Sequence, residues 1–186
     1  MNKKVILIIS ITAFCMLAAS FTNTNEINIP FSKIEKTIKK KMGFQEFLLE
    51  SVDVVVEPNS QSEVFRIQSN NQTLGYVYVS RVNTCRAGGC SINPDDIAVD
   101  FEYFDYFLLT DSVGNVVNVK VYNYRATHGH QVMSRGWLKQ FFGFNGSQTL
   151  NYGKDIQAIS GATISAKTLI FDIQNAEILI RSLIID

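Results

Sequence analysis

Neither sign of charge dominates this sequence: Lys and Arg together number 17, and so do Asp and Glu. That balance leaves no overall field to draw the chain onto nucleic acid or an anionic surface, so nucleic-acid binding is set aside. Histidine is scarce at two, cysteine at three and tryptophan at one. No Cys-x-x-Cys pair occurs, and none followed by His, so neither dithiol exchange nor haem attachment has a motif behind it. Internal repeats, long single-charge runs and low-complexity stretches are also missing, while Phe, Tyr, Ile and Val are plentiful. The composition therefore excludes disorder. With 186 residues, 46% of them apolar, the chain is long enough for one well-filled core and short for two.

What is present begins with Lys3 and Lys4 ahead of an apolar run from Val5 to about Ala19, followed by polar Thr22 to Glu26. This is the layout of a secretory signal peptide, with small Ala18 and Ser20 set for a cut after Ser20. The alternative is an uncleaved anchor, since about 17 apolar residues from Val5 to Phe21 sit at the lower limit for spanning a bilayer. Cys15 follows bulky Phe14 and has no Leu three places before it, which argues against a lipid anchor. The expected organisation is a signal peptide over 1–20, an N-terminal helical segment over 21–52 and one domain over 53–186.

From Ser32 to about Leu49, Ile34, Ile38, Met42 and Phe44 to Leu48 recur at helical spacing, with Lys36, Lys39, Lys40 and Lys41 on the other side. This predicts one or two amphipathic helices with the lysines in water. Short β-rich runs follow at Val54 to Val56, Val64 to Ile67 and Leu74 to Val79, and Asn70-Asn71 lies where a hairpin turn belongs. A second hairpin is predicted from Tyr103 to Leu109 and Val116 to Tyr124, around the turn formers Asp111 to Asn115. Alternation of Val119 and Val121 with Lys120 predicts one buried and one wetter face for this sheet. Ser134 to Phe142 reads as a short helix ending at Gly143. Ile164 to about Ile184 reads as a long one, with Leu169, Ile173, Ala176, Ile180 and Leu183 on one stripe. An antiparallel sheet flanked by helices at both chain ends is an α+β domain.

Ser160-Gly161-Ala162-Thr163-Ile164-Ser165 places small residues and a glycine directly before that last helix. Free N–H groups and the positive end of the helix dipole favour an anion such as a phosphate at such a start. The plain structural reading is an N-cap.

Ser160-Gly161-Ala162-Thr163-x-Ser165 resembles the signature of the FMN-binding domain family, which includes flavin-carrying subunits of sodium-pumping NADH:quinone reductases and Rnf complexes. The likeness extends from about Leu74 through Tyr103 to Phe107, Trp137 to Phe141 and the final helix. It implies flavin mononucleotide (FMN) held on this segment, with its phosphate esterified to the Thr163 hydroxyl. A threonine hydroxyl is no nucleophile at neutral pH without activation, and no base adjoins Thr163 in the sequence. The resemblance supplies the answer: a separate flavin transferase, using flavin adenine dinucleotide and magnesium, would make the bond. One position departs from the family pattern, because Gln157 stands where an Asp three residues before the Ser is usual, and Asp155 is two residues out of register. If the transferase reads that carboxylate, Gln157 would either slow the modification or leave FMN held without a covalent bond.

Thr127-His128-Gly129-His130 holds both histidines, and His-x-His on a strand would aim two imidazoles at one face, as a metal site needs. Two ligands do not complete a site, so no metal is assigned. The resemblance instead makes His128 and His130 residues of the flavin pocket. Trp137 is either a ring-stacking partner or a core anchor, and Arg135 and Lys139 are either counter-charges or solvated cations. Cys85-Arg86-Ala87-Gly88-Gly89-Cys90, with two glycines to turn the chain, reads as a disulfide in an oxidising compartment, with a redox-active dithiol as the sharper alternative.

These readings converge on an exported flavoprotein, periplasmic or on the outer face of the cytoplasmic membrane. It would carry electrons to or from a partner that the sequence does not name, a membrane-bound one included, rather than turn over a substrate alone. The rival from another class is a non-redox binding module that keeps the fold without covalent flavin. A reductase acting on a small substrate ranks lower, because no general acid, nucleophile or nicotinamide-binding fingerprint is visible.

Overall fold

A computed structural model describes residues 27–54, 61–86 and 101–185. The expected signal peptide, the Val55-Val56 run and Cys90 lie outside the described residues. The elements in chain order are α1 (Phe31–Met42), β1 (Leu48–Val52), β2 (Ser62–Ser69), β3 (Gln72–Arg86), β4 (Phe101–Asp111) and β5 (Val116–Tyr124). A 3-10 turn (His130–Met133), the short helix α2 (Arg135–Leu138), a second 3-10 turn (Lys139–Phe141) and the long helix α3 (Thr163–Ile185) complete it. The five strands form one antiparallel sheet in the order β1-β2-β3-β4-β5. The fold is α+β, as expected.

Turn chemistry sets the register. Asn70 and Asn71 both take positive φ, 49° and 61°, the conformation that lets a two-residue loop follow the strand twist. At the other hairpin, Asp111 accepts hydrogen bonds from the amides of Val113 and Asn115 at 3.1 and 2.8 Å, closing the turn as an Asx motif does. Gly75 lets β3 approach β4 so closely that a Cβ there would lie 2.1 Å from the Thr110 carbonyl oxygen.

Two expectations need correcting. Helix does not run to Leu49: α1 stops at Met42, where Gly43 takes the left-handed conformation, and Leu48–Val52 pairs with β2 as an edge strand. The segment expected to be helical over 21–52 therefore ends inside the sheet. Nor does the sheet have a wetter face. One face packs Phe65, Ile67, Val77, Val79, Phe107 and Leu109 beneath Ile34 and Ile38 of α1. The other packs Tyr78, Phe104, Tyr106, Leu108, Val119 and Val121 beneath Leu169, Ile173 and Ile180 of α3, with Trp137 and Phe141 joining from the loop. Each fully buried aliphatic or aromatic side chain contributes about 1.5–3 kcal/mol, so both helices are held by packing. Lys120 of β5 lies under α1, and burial together with Lys33, Arg135 and Lys36 pulls its ammonium below the usual lysine value.

Two acids between the layers are well matched, while the buried Thr110 hydroxyl, Asn118 amide and Tyr122 hydroxyl find no hydrogen-bond partner among the described residues. Asp105, fully buried, receives Arg81 in two bonds of 2.7 and 3.2 Å and the Asn123 amide at 2.6 Å. Under α3, Asp172 accepts from Tyr106 at 2.7 Å and from Tyr78 at 3.5 Å.

Candidate functional site

The ends of β3, β4 and β5 meet the start of α3 at a cleft of ≈ 350 Å³, lined among others by Glu102, Thr127, His128, Gly129, Ala162 and Thr163. That volume falls at the lower end of the roughly 300–1,000 Å³ of small-molecule sites.

The cleft wall on the β5 side is built on Tyr124. Its ring stacks on Phe104 at 5.5 Å, nearly parallel, and its hydroxyl donates to the His128 carbonyl at 2.5 Å. With that proton committed, the Ser165 hydroxyl, 3.2 Å away, donates to Tyr124 and accepts from Thr84 at 2.8 Å. Burial raises the Tyr124 phenol above its ordinary value, with Ser165 opposing, so the donor is protonated at neutral pH. This chain needs Gly129: at φ 89° it presses the loop against α3, and a Cβ there would lie 2.6 Å from Ser165 Oγ and 2.7 Å from the Tyr124 hydroxyl. At the rim, Thr127 donates to Glu102 at 2.7 Å and lies 2.9 Å from His128 Nδ1. Since the threonine proton goes to the carboxylate, Nδ1 carries a proton and donates, and among the described residues Nε2 has no hydrogen-bond partner.

The opposite wall is the Ser160 to Ser165 segment. Trp137 Nε1 donates to the Gln157 carbonyl at 2.7 Å, and Gln140 Oε1 accepts from the Gln157 amide at 2.8 Å. The Tyr152 hydroxyl then clasps Ile159, accepting from its amide at 3.0 Å and donating to its carbonyl at 3.1 Å. Gly161 turns the chain at φ 75°, and α3 begins at Thr163. The Ala166 amide bonds to the Ala162 carbonyl at 2.9 Å, which makes Ala162 the cap. Alanine has no side chain with which to cap. Among the described residues no group accepts from the amides of Thr163, Ile164 and Ser165, and no acid stands in the first turn. Thr163 is exposed, its Oγ1 is 3.5 Å from the Tyr152 hydroxyl, and Lys167 one turn on lies 5.8 Å over the Tyr152 ring.

The sequence-derived residues thus separate. Gly161, Ala162, Thr163, Ser165 and His128 line the cleft, and exposed Ser160 immediately precedes Gly161. Ser165 differs from the expected phosphate ligand in one respect: its hydroxyl is tied to the sheet, and only its amide is left at the helix start. His130 lies outside the cleft lining, with its ring 4.7 Å from that of Tyr124. Trp137 is also outside it, buried edge-on against Phe141 at 5.3 Å with its N–H engaged, so it anchors the segment leading to Thr163. Arg135 and Lys139 are exposed and do not line the cleft. Asp155 does not stand in for the missing carboxylate at Gln157, because its oxygen takes the Asn151 amide and side chain at 2.9 and 2.8 Å. Those bonds hold its carboxyl below the usual range.

The two histidines sit on a loop and a 3-10 turn rather than on a strand, so they do not share a face. Among the described residues no group of three or more His, Cys, Asp or Glu could hold a metal ion. Among them also no helix is long and apolar enough to cross a membrane. Cys85 ends in the cleft lining, while its expected partner Cys90 lies outside the described residues. Sequence reasoning missed Glu102, Thr127 and Tyr152. Thr127 adjoins His128 and was within reach, whereas Glu102 and Tyr152 arrive from distant elements.

Set against known proteins, the chain matches no family model and no curated protein. The resemblance to FMN-binding domains therefore rests on the Ser160 to Ser165 segment and its surroundings.

Proposed function

We propose that the cleft at the start of α3 holds FMN, with the phosphate esterified to Thr163 Oγ1, and that the protein serves as an extracytoplasmic electron carrier. The observation that carries this reading is the exposed Thr163 hydroxyl at the first residue of a 23-residue helix whose first three amides have no acceptor and no side-chain cap among the described residues. A phosphate there gains hydrogen bonds and the helix dipole, where an apolar group would gain nothing. When bound, FMN supplies one- and two-electron chemistry, and the protein's share is position and electrostatic tuning. The amides of Thr163 to Ser165 would bind the phosphate, Lys167 would offset its charge, and His128, which lines the same cleft, would stand beside the flavin.

Among the described residues no carboxylate or imidazole hydrogen-bonds the Thr163 hydroxyl, which lies 3.5 Å from that of Tyr152, so attachment is assigned to a flavin transferase. In that reaction the Thr163 oxygen would bond to the FMN phosphorus of flavin adenine dinucleotide as the phosphoanhydride breaks, with adenosine monophosphate leaving and the hydroxyl proton passing to the leaving phosphate or to solvent. Export, signal-peptide removal and a Cys85 to Cys90 disulfide belong to the same reading, since a covalent cofactor suits a compartment where lost flavin is not replaced. A non-redox binding module is favoured by one observation, the exposed Gln157 side chain where the family carries a carboxylate.

Co-expression with a flavin transferase, followed by denaturing electrophoresis viewed for flavin fluorescence, separates the cases. The chain and Ser165→Ala should both fluoresce, and Thr163→Ala should be dark. A dark parent chain that copurifies with FMN would leave non-covalent binding, and Gln157→Asp should then restore the bond. A chain that takes up no flavin in either form would support the binding module.

A further inference from the structure

Four large apolar side chains on α3 are exposed: Ile164, Phe171, Ile178 and Ile185, at 38%, 65%, 66% and 78%. They are spaced by seven residues each. A seven-residue repeat on a helix of 3.6 residues per turn drifts by about 20° per heptad, so the four form one slowly winding stripe about 32 Å long. That is the pattern with which one helix follows another, and it stands apart from the buried stripe through Leu169, Ile173, Ala176 and Ile180. Monomeric surfaces scatter such residues singly, and a continuous row of them marks a contact.

We infer that this stripe is a homodimer interface, in which α3 of one chain packs antiparallel against α3 of a second copy. The composition of the flanks selects this occupant over a lipid surface. Beside the stripe stand Lys167, Thr168, Gln174, Asn175, Arg181 and Ser182, mostly neutral polar groups of the kind that rim a protein interface. Arg181 is already neutralised by Glu177 and also donates to the Asn145 carbonyl, which leaves Lys167, among the described residues, as the cation of this α3 face without a carboxylate. Helices that lie on anionic membranes instead carry many Lys and Arg on their polar face.

Symmetry selects the direction. An isologous contact requires the patch to complement itself. Turned about a two-fold axis between Gln174 and Asn175, the stripe sets Ile164 level with Ile185 of the other copy and Phe171 level with Ile178. The same operation brings Lys167 level with Ser182 and Arg181 with Thr168, so no like charges oppose one another. A parallel pair would instead place Lys167 beside Lys167.

The pairing also bears on the cleft. Ile164 is part of its lining, and at the far end of α3 Ile184 lies beside Gly114 of the β4–β5 turn, next to Val113, itself 61% exposed. In the antiparallel dimer, the end of one α3 and its neighbouring turn stand at the rim of the other copy's cleft, beside Thr163. This inference does not depend on the flavin reading.

Sedimentation equilibrium of the full chain, as its host produces it, tests the proposal. The chain should sediment as a dimer, and Phe171→Glu with Ile178→Glu should raise the dissociation constant roughly tenfold or more with unchanged far-ultraviolet circular dichroism. Lys40→Glu, on the opposite face, should leave the dimer intact. A mixture of Ile164→Cys and Ile185→Cys chains should cross-link on oxidation beyond the unsubstituted background, and either variant alone should not. A monomer at about 100 µM, two decades above a micromolar constant, would overturn the proposal, as would a dimer indifferent to the stripe variants. So would a monomer that binds phosphatidylglycerol vesicles through Phe171 and Ile178.

Discussion

The two long helices obey different rules. α1 turns Ile34 and Ile38 inward and its lysines outward, places Lys39, Lys40 and Lys41 in its last turn where cations suit the dipole, and ends on a left-handed glycine. Its first amides are engaged as well, with Phe31 bonded to the Ile29 carbonyl and Lys33 to Pro30. α3 is apolar around most of its circumference, begins on an uncapped alanine, has no acid in its first turn and no base in its last. Its inward face is as well packed as that of α1, so the difference is confined to its first turn and its outer face. Where packing is satisfied and local rules are broken, the broken rules point to what the helix meets. On the readings proposed above, that is an anion at the first turn and another apolar surface along the outer face.

The largest effects should show that packing does not distinguish the two helices. Ile38 and Ile173 are both fully buried, so Ile38→Ala and Ile173→Ala should each cost about 2–5 kcal/mol of unfolding free energy in urea titrations. A far smaller cost at Ile173 would mean that α3 is only loosely docked, and the comparison would fail.

Next in size is the acid under α3. Asp172→Ala should cost about 1–3 kcal/mol, because it leaves the fully buried Tyr106 hydroxyl without its acceptor. Burial holds the Asp172 carboxyl above the usual carboxylate range, against the opposing hydrogen bonds from Tyr106, Ser80 and Tyr78. The folded chain thus binds that proton more tightly than the unfolded one. The associated stability is full below about pH 3.9 and is lost as the pH rises through the folded value. Asp172→Asn keeps an acceptor for Tyr106 and should flatten the dependence of stability on pH in that window. An unchanged slope would remove Asp172 as its source.

The smallest effect sharpens the comparison most. Ala162→Ser would give α3 the cap it lacks and should raise stability by about 0.5–2 kcal/mol in thermal melts. The new hydroxyl would take an amide that the phosphate uses, so the same variant should bind FMN more weakly. Greater stability with undiminished flavin binding would show that the open first turn is not the anion site.

Much of this was legible in the sequence, for local reasons. Asn70-Asn71 and Asp111 to Asn115 announce their turns by residue type, and the stripe through Leu169, Ile173 and Ile180 announces α3 by its period. β1 was hidden because Phe44 to Leu49 continues the apolar spacing of α1, and only pairing with β2 makes a strand of it. The second covered face had a signal in the unbroken run Tyr106 to Leu109, since a strand buried on both sides need not alternate. The start of α3 at Thr163 could be read from its small residues and glycine. The parts that position it could not: Tyr152, Trp137 and Glu102 act through carbonyls and hydroxyls of distant segments, and such contacts leave no spacing in the chain. The outer stripe, a period of seven, went unread in the sequence, because only exposure gives it meaning.

The most direct test of the central claim is the mass of the tryptic peptide spanning residues 155–167, taken from the protein made in its native host or with a flavin transferase. The account predicts that this peptide carries one FMN, that fragmentation places it on Thr163, and that fluorescence survives denaturation. An unmodified peptide from a protein that contains no flavin would contradict it.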